Sequence, residues 1–271
     1  MFDNNIKTEP TPERVLELCR IASRMSNEKD IRAVFEPKRL NENSTPIFTI
    51  IRDVAFELKL LEQDGEKLKF IGSKDCISSF DGFRKYCNSI VWKKSDTNFS
   101  KLAAVFLESN DEMLKNKRLT DPAGLAYLTE KTKISLTNNM VLGFRFWFSF
   151  LGFGYIQENK TDMYYLPNMV IALTDFIEMM NLKKNKEYTV NDFMANLSIL
   201  CPVATENALE THQLNLALSN GLRLLDATGG SNGNGLIDLK NNLDSKEKWN
   251  LFPSYTHRIT SEFSHIIYKG R

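Results

Sequence analysis

The chain has 271 residues, 42% of them hydrophobic and 25% charged, and its formal net charge is +1. This length accommodates two or three small domains with buried cores. The near-zero charge argues against a dedicated non-specific nucleic-acid binder, which is usually far more basic. The most apolar stretch, 140–156, contains Arg145 and is too short for a membrane span. The first residues lack the apolar core of a signal peptide, so we expect a cytoplasmic protein with no membrane partner.

The cysteines predict no metal site. Cys19, Cys76, Cys87 and Cys201 are widely spaced, form no CxxC pair and have no histidine at metal-ligand spacing. We therefore expect reduced, buried thiols and no cofactor.

The first part of the chain has the pattern of helices followed by a hairpin. Two amphipathic segments precede an apolar helix that begins at Thr45, a suitable N-cap, and runs to about Leu60. The dipeptide Asp64-Gly65, flanked by alternating apolar residues, is a strong hairpin signal. A further helix is predicted from Asp75 to Trp92.

The same order recurs twice. The second copy has an aromatic-rich helix that Thr137 is expected to cap, then two strands that end at Pro167. The third copy has a helix that Thr189 could cap, then a more apolar helix. Its predicted hairpin joins a strand at 236–239 to one at 249–251.

Three helices followed by a two-stranded wing resemble the winged helix-turn-helix family, most clearly at the junction LKLLEQDGEKLKF. The fold class that this resemblance implies is α+β, mainly helical, with tandem winged-helix units. The predicted parts are unit 1 (1–74), a linking helix (75–97), unit 2 (98–167) and unit 3 (168–271). Such a chain is also similar to accessory subunits of prokaryotic mobile-element and phage-defence operons. The alternative is one irregular α+β domain.

The resemblance implies that the third helix of a unit enters the major groove and that its wing contacts phosphate. Acidic neighbours weaken the field of unit 1, and the third helix of unit 3 should repel phosphate. Asn138 and Asn139 fit helix caps better than base contacts. The candidate DNA-binding residues are Lys38, Arg39, Asn43, Thr49, Arg52, Lys67 and Lys69 in unit 1, and Lys115, Lys117, Arg118, Lys131 and Lys133 in unit 2.

The third helix of unit 2 is apolar nearly all round, which predicts burial on several sides. An exposed part of its aromatic face would suit a protein partner better than DNA. Trp147 and Phe148 are the candidate partner-binding residues.

Catalytic motifs are missing from the sequence. It contains no HExxH and no P-loop, and no GxSxG supplies a nucleophile elbow, since the glycine-rich run at 229–235 fits a long hairpin loop. We therefore expect a non-enzymatic protein, with an enzyme of unrecognised type as the third hypothesis. The first two are a duplex-DNA-binding subunit of a larger assembly and a scaffold that binds only protein subunits. A homodimer is left open.

Overall fold

Helices form most of the structure, and short antiparallel strands follow them at three places in the chain. The computed structural model describes residues 1–2, 5–37, 47–112, 122–159, 162–226, 235–254 and 261–270. The helices are α1 (Pro12–Ala22), α2 (Glu28–Phe35), α3 (Ile47–Glu57), α4 (Phe80–Val91), α5 (Asn98–Glu108), α6 (Pro122–Thr132), α7 (Asn138–Phe150), α8 (Val170–Met179), α9 (Val190–Leu200), α10 (Pro202–Thr211) and α11 (Leu216–Leu225). The strands are β1 (Leu61–Asp64), β2 (Lys67–Phe70), β3 (Gly154–Asn159), β4 (Asp162–Pro167), β5 (Glu187–Thr189), β6 (Ile237–Lys240), β7 (Trp249–Asn250), β8 (Glu262–Phe263) and β9 (His265–Tyr268).

Unit 1 has the predicted order of three helices and a hairpin. β1 and β2 pair antiparallel around Gly65, whose φ of 61° favours glycine. Asn27, between α1 and α2, caps α2 by accepting hydrogen bonds from two backbone N–H groups. The same residue forms an antiparallel bridge with Lys67 of β2. The predicted cap Thr45 lies outside the described residues.

Unit 2 repeats this order with α5, α6, α7 and the β3–β4 hairpin. The predicted cap is confirmed, because Thr137 Oγ1 accepts a hydrogen bond from the N–H of Met140 at 3.3 Å. The predicted burial of α7 is also confirmed. Its buried residues are Val141, Gly143, Phe144, Trp147 and Phe148.

Unit 3 differs from the prediction in its helices and in its strands. Its described residues contain four helices, α8 to α11, where three are predicted. Thr189 caps α9 as predicted, through the N–H of Asp192 at 3.1 Å. The predicted pairing of 236–239 with 249–251 is wrong, since β6 pairs with β9 and β7 pairs with β8. The β6–β9 register places Leu239 opposite Ile266, and both side chains are buried. The resulting three-stranded sheet has the order β5-β9-β6.

One buried apolar cluster runs through all three units. The first residues of the chain pack on α7 and complete this cluster. The Phe2 ring centroid lies 4.8 Å from that of Trp147. The indole Nε1 of Trp147 donates to the carbonyl oxygen of Pro10 at 2.6 Å. The approach is closest at Gly143, where an added Cβ would lie 2.2 Å from the carbonyl oxygen of Lys7.

Helix α4 connects the three units through polar contacts. Tyr86 Oη donates to the carbonyl oxygen of Leu58 in unit 1 at 2.9 Å. Asn88 Nδ2 donates to the carbonyl oxygen of Leu151 in unit 2 at 3.1 Å and to Asp175 Oδ2 in unit 3 at 3.0 Å. Arg84 holds the same carboxylate in a two-point ion pair, at 2.9 and 3.1 Å. These contacts fix the units relative to one another.

Within the described part of the chain, no helix combines the length and the apolarity needed to cross a bilayer.

Candidate nucleic-acid interface

The turn between α6 and α7 is held by local hydrogen bonds. Lys133 ends α6 in the left-handed region, with φ 59°, and its N–H donates to the carbonyl oxygen of Thr129 at 2.9 Å. Thr132 Oγ1 accepts from the N–H of Ile134 at 3.2 Å. Leu136 packs into the core. These contacts give α7 a defined starting direction.

Six polar side chains are exposed between residues 131 and 139: those of Lys131, Lys133, Ser135, Thr137, Asn138 and Asn139. Because Thr137 is the N-cap, the two asparagines occupy the first positions of α7 and are not the caps that the sequence predicted. A carboxamide offers a donor and an acceptor side by side, which matches the major-groove edge of adenine. The start of a recognition helix is where helix-turn-helix proteins contact base edges.

The stretch from residue 131 to residue 156 is basic in sequence. Residues 131–156 contain three basic side chains and no acidic one, and the nearest acidic residues in sequence are Glu130 and Glu158. The Lys131 ammonium lies 5.8 Å from the ring centroid of Tyr127, within range of a cation–π contact. We call the surface formed by four of these side chains the α7 start: Lys131, Lys133, Asn138 and Asn139.

The third helix of unit 1 is electrostatically different. Residues 47–70 carry five acidic side chains against four basic ones. Arg52, the central predicted contact, donates from Nη1 to Glu28 Oε1 at 2.6 Å and from Nη2 to Asp53 Oδ1 at 3.2 Å. Burial alone would raise the pKa of Glu28, but hydrogen bonds from Gln63 and Arg52 outweigh it and lower that pKa. Arg52 is therefore committed to an ion pair within the protein.

The other predicted contacts of unit 1 are scattered. Thr49 is half-buried on α3 and Lys67 is exposed on the wing. Lys69 Nζ donates to Asp64 Oδ2 at 2.5 Å, so its charge is balanced locally. Six predicted DNA-binding residues lie outside the described residues: Lys38, Arg39, Asn43, Lys115, Lys117 and Arg118.

The helix of unit 3 that the sequence places before its wing, α11, is the fourth described helix of that unit, and it cannot enter a groove because it is buried on most of its surface. Asn220 Nδ2 donates to the carbonyl oxygen of Pro167 at 3.0 Å. Arg223 is 3% exposed and donates from Nη2 to the carbonyl oxygen of Phe252 at 2.7 Å. Leu224 is half-exposed, but its side chain is apolar.

The predicted partner-binding residues require a correction. Trp147 and Phe148 are both 0% exposed, so neither is available at the surface. The chain's own first residues cover Trp147, and Phe148 packs against Phe106 and Phe153. The aromatic side chain that α7 does expose is Phe146, at 40%.

The cysteines are free and buried, as predicted. Burial raises the pKa of the Cys19, Cys87 and Cys201 thiols, which makes them poor nucleophiles and poor metal ligands. In the ranges that the structure describes, no three His, Cys, Asp or Glu side chains are grouped to hold a metal ion.

Comparison with known families adds a relationship that the geometry alone does not give. Residues 5–215, which include units 1 and 2 and the first helices of unit 3, match the family described as DpdG-like. The chain belongs to the DpdG-like family. DpdG is part of a phage-defence and DNA-modification operon, which agrees with the defence-operon resemblance seen in the sequence. Comparisons with curated proteins and with solved structures gave no match.

Proposed function

We propose that this chain is a non-catalytic, duplex-DNA-binding component of a phage-defence and DNA-modification system. The proposal assigns the DNA contact to the α7 start and not to unit 1. It treats the three helix-and-hairpin units as tandem winged helices. The single observation that carries it is the exposed start of α7, with two asparagines and two lysines in a stretch, 131–156, that contains no acidic residue.

The topology supports the winged-helix part of the proposal. In unit 1, the bridge from Asn27 to Lys67 adds a strand-like contact between the first two helices and the wing. In unit 3, β5 lies between α8 and α9 and joins the sheet through the returning strand β9. A strand between the first two helices that pairs with the returning strand is the arrangement of a winged helix. Unit 3 adds one helix to it, and places β7 and β8 between β6 and β9.

The near-neutral net charge is compatible with this proposal because the charges are unevenly distributed. Ion pairs inside unit 1 balance most of its charge, whereas Lys131 and Lys133 form no ion pair with another described residue. DNA affinity that depends on a few phosphate contacts needs a local basic surface, not a basic protein.

The test is binding of the full chain to a labelled duplex, measured by fluorescence anisotropy across a salt titration. Lys131→Gln/Lys133→Gln should lower the slope of log K against log salt by about two, one for each lost phosphate contact. Asn138→Ala/Asn139→Ala should weaken binding to a preferred sequence by about 1–3 kcal/mol per lost base contact. The matched pair Lys67→Gln/Lys69→Gln removes the same charge from unit 1 and should leave the slope unchanged.

Two results contradict the proposal. No binding by the wild-type chain at low salt rules out direct DNA contact. A larger loss of slope for Lys67→Gln/Lys69→Gln than for Lys131→Gln/Lys133→Gln would place the contact on unit 1.

The second candidate function is a scaffold that binds only protein subunits. Two exposed aromatic side chains favour it, Phe146 at 40% and Phe80 at 41% exposure. The Phe80 ring also packs against Phe150 of α7, with 4.7 Å between the ring centroids. Exposed aromatic side chains are enriched at protein interfaces. Phe146→Asp should then abolish co-purification with a subunit encoded in the same operon. Ile199→Asp, at a 78% exposed apolar residue of α9, is the matched control.

A further inference from the structure

One arginine of unit 3 is buried without a negative partner among the described residues. Arg223, in the last turn of α11, is 3% exposed, and its Nη2 donates to the carbonyl oxygen of Phe252 at 2.7 Å. Its Nε and Nη1 are buried as well, and in that part of the chain neither atom has a hydrogen-bond acceptor. Buried charges in folded proteins are normally paired and hydrogen-bonded, because burying one alone is costly. The guanidinium therefore has two donors that an additional anion would satisfy.

The backbone of Phe252 holds this guanidinium in place. Ser219, one turn before Arg223 on α11 and fully buried, accepts from the N–H of Phe252 through Oγ at 2.8 Å. The carbonyl oxygen of the same residue accepts from Arg223. Phe252 lies 29 positions after Arg223 in sequence, so the helical pattern of α11 does not reveal that this arginine is buried.

The surrounding chain does not supply the missing negative charge. The nearest carboxylate in sequence is that of Asp226, which ends α11 and accepts from the N–H of Leu239 through Oδ1 at 3.1 Å. Segments 227–234 and 255–260, which follow α11 and residue 254 in sequence, contain no acidic residue. Burial lowers the pKa of Arg223, as expected for a cation without a nearby counter-charge.

We propose that Arg223 binds a carboxylate group that comes from outside the chain. A guanidinium offers N–H donors in a planar fork, which matches the two oxygens of a carboxylate. The charge also favours a carboxylate. The dipole at the end of α11 already contributes about half a negative charge, so one further negative charge balances the site better than the charge of about −1.5 to −2 on a phosphate ester.

The carboxylate belongs either to a small organic acid or to an acidic side chain of a partner protein, and the experiments below separate these sources. Arg223 is not part of the α7 start. The inference therefore goes beyond the proposed DNA contact and does not depend on it.

The first measurement compares the urea midpoint of the full chain with that of Arg223→Met in chloride buffer. Methionine keeps much of the apolar volume and removes the unpaired charge, so the midpoint should rise. Arg14→Met is the matched control, because exposed Arg14 also donates to one backbone carbonyl, that of Glu9, at 2.8 Å. Its midpoint should stay unchanged. An unchanged or lower midpoint for Arg223→Met would mean that the buried charge is compensated, which overturns the proposal.

The second measurement follows the thermal midpoint, Tm, while sodium acetate replaces sodium chloride at constant ionic strength. Acetate should raise the Tm of wild type and Arg14→Met in a saturable way and leave that of Arg223→Met unchanged. This result supports a site for a small organic acid. Sulfate is the comparison anion. A rise in Tm that depends on Arg223 and is larger with sulfate than with acetate overturns the carboxylate assignment.

The third measurement mixes the full chain with purified subunits encoded in the same operon and follows co-elution by size exclusion. Co-elution of one subunit with wild type and Arg14→Met, but not with Arg223→Met, supports an acidic side chain of a partner, even where acetate has no effect. The proposal is overturned if neither acetate nor any subunit distinguishes Arg223→Met from Arg14→Met. None of these measurements contains DNA, so a failure of duplex binding does not affect them.

Discussion

Trp147 and Pro10 are joined by a hydrogen bond from the indole Nε1 to the backbone carbonyl oxygen at 2.6 Å, across 137 positions of sequence. The bond satisfies the indole N–H, which is otherwise buried in an apolar cluster. It also holds the first residues of the chain against α7, so that they complete the aromatic core.

Gly143→Ala tests how tightly these residues are packed. The new Cβ would lie 2.2 Å from the carbonyl oxygen of Lys7, which forces the two backbones apart. Overpacking of this kind costs about 1–3 kcal/mol, and we expect that decrease in the free energy of unfolding in urea. Asn139→Ala, at an exposed position of the same helix, is the control and should not destabilise the protein. Equal stability of the two variants would contradict the close packing.

Asp175→Ala tests the connection through α4. Removing this carboxylate leaves Arg84, 15% exposed, without its two-point partner, and Asn88 Nδ2 without one acceptor. Breaking a buried ion pair from one side costs about 3–5 kcal/mol. The control is Glu178→Ala, which removes the more exposed pair with Lys85 and should cost about 0–1 kcal/mol in the same urea titration. A similar cost for both variants would mean that the buried pair does not hold the units together.

Glu28→Gln should change how stability depends on pH. The pKa of Glu28 is lower in the folded protein than in the unfolded chain, so its contribution is present above the unfolded value of about 4.5. That contribution is lost as pH falls through the folded pKa. Urea titrations should therefore show the variant to be less stable than wild type at pH 7, with a difference that shrinks in acid. Glu66→Gln, in an exposed pair with Lys29, should show little difference at either pH.

The thiols should be unreactive in the native protein. Because burial raises the pKa of Cys19, Cys87 and Cys201, these groups remain protonated at pH 8 and are shielded from reagent. We expect little reaction with a thiol-specific chromogenic reagent in buffer and four equivalents in denaturant. Rapid labelling of two or more thiols without denaturant would contradict the burial of these side chains.

Local patterns predicted the helices and their caps well. Thr137 and Thr189 were identified as caps because a cap depends on residues only two or three positions away. The Asp64-Gly65 turn was found for the same reason. The third hairpin was predicted wrongly because β6 pairs with β9, which follows more than twenty residues later. The apolar strand at 249–251 lies nearer in sequence and is therefore the partner that the sequence predicts for β6.

The candidate site could be predicted only in part. Lys131 and Lys133 lie just before α7, and their contact with DNA stays a prediction. Arg52 is assigned to DNA from the sequence because its partner Glu28 is 24 positions away. Trp147 was assigned to a protein partner because helical periodicity does not show that Phe2 packs on it. These contacts are set by tertiary structure, which the spacing of residues along one helix does not encode.

The contacts of α4 with all three units have a consequence for how such chains evolve. A repeat protein whose units touch only through neighbours can gain or lose a unit with little effect on the others. Here Asn88 bonds to unit 2 and unit 3 at once, and Tyr86 bonds to unit 1. Recombination at a unit boundary would therefore leave buried donors on α4 without acceptors, so the units are expected to be inherited together.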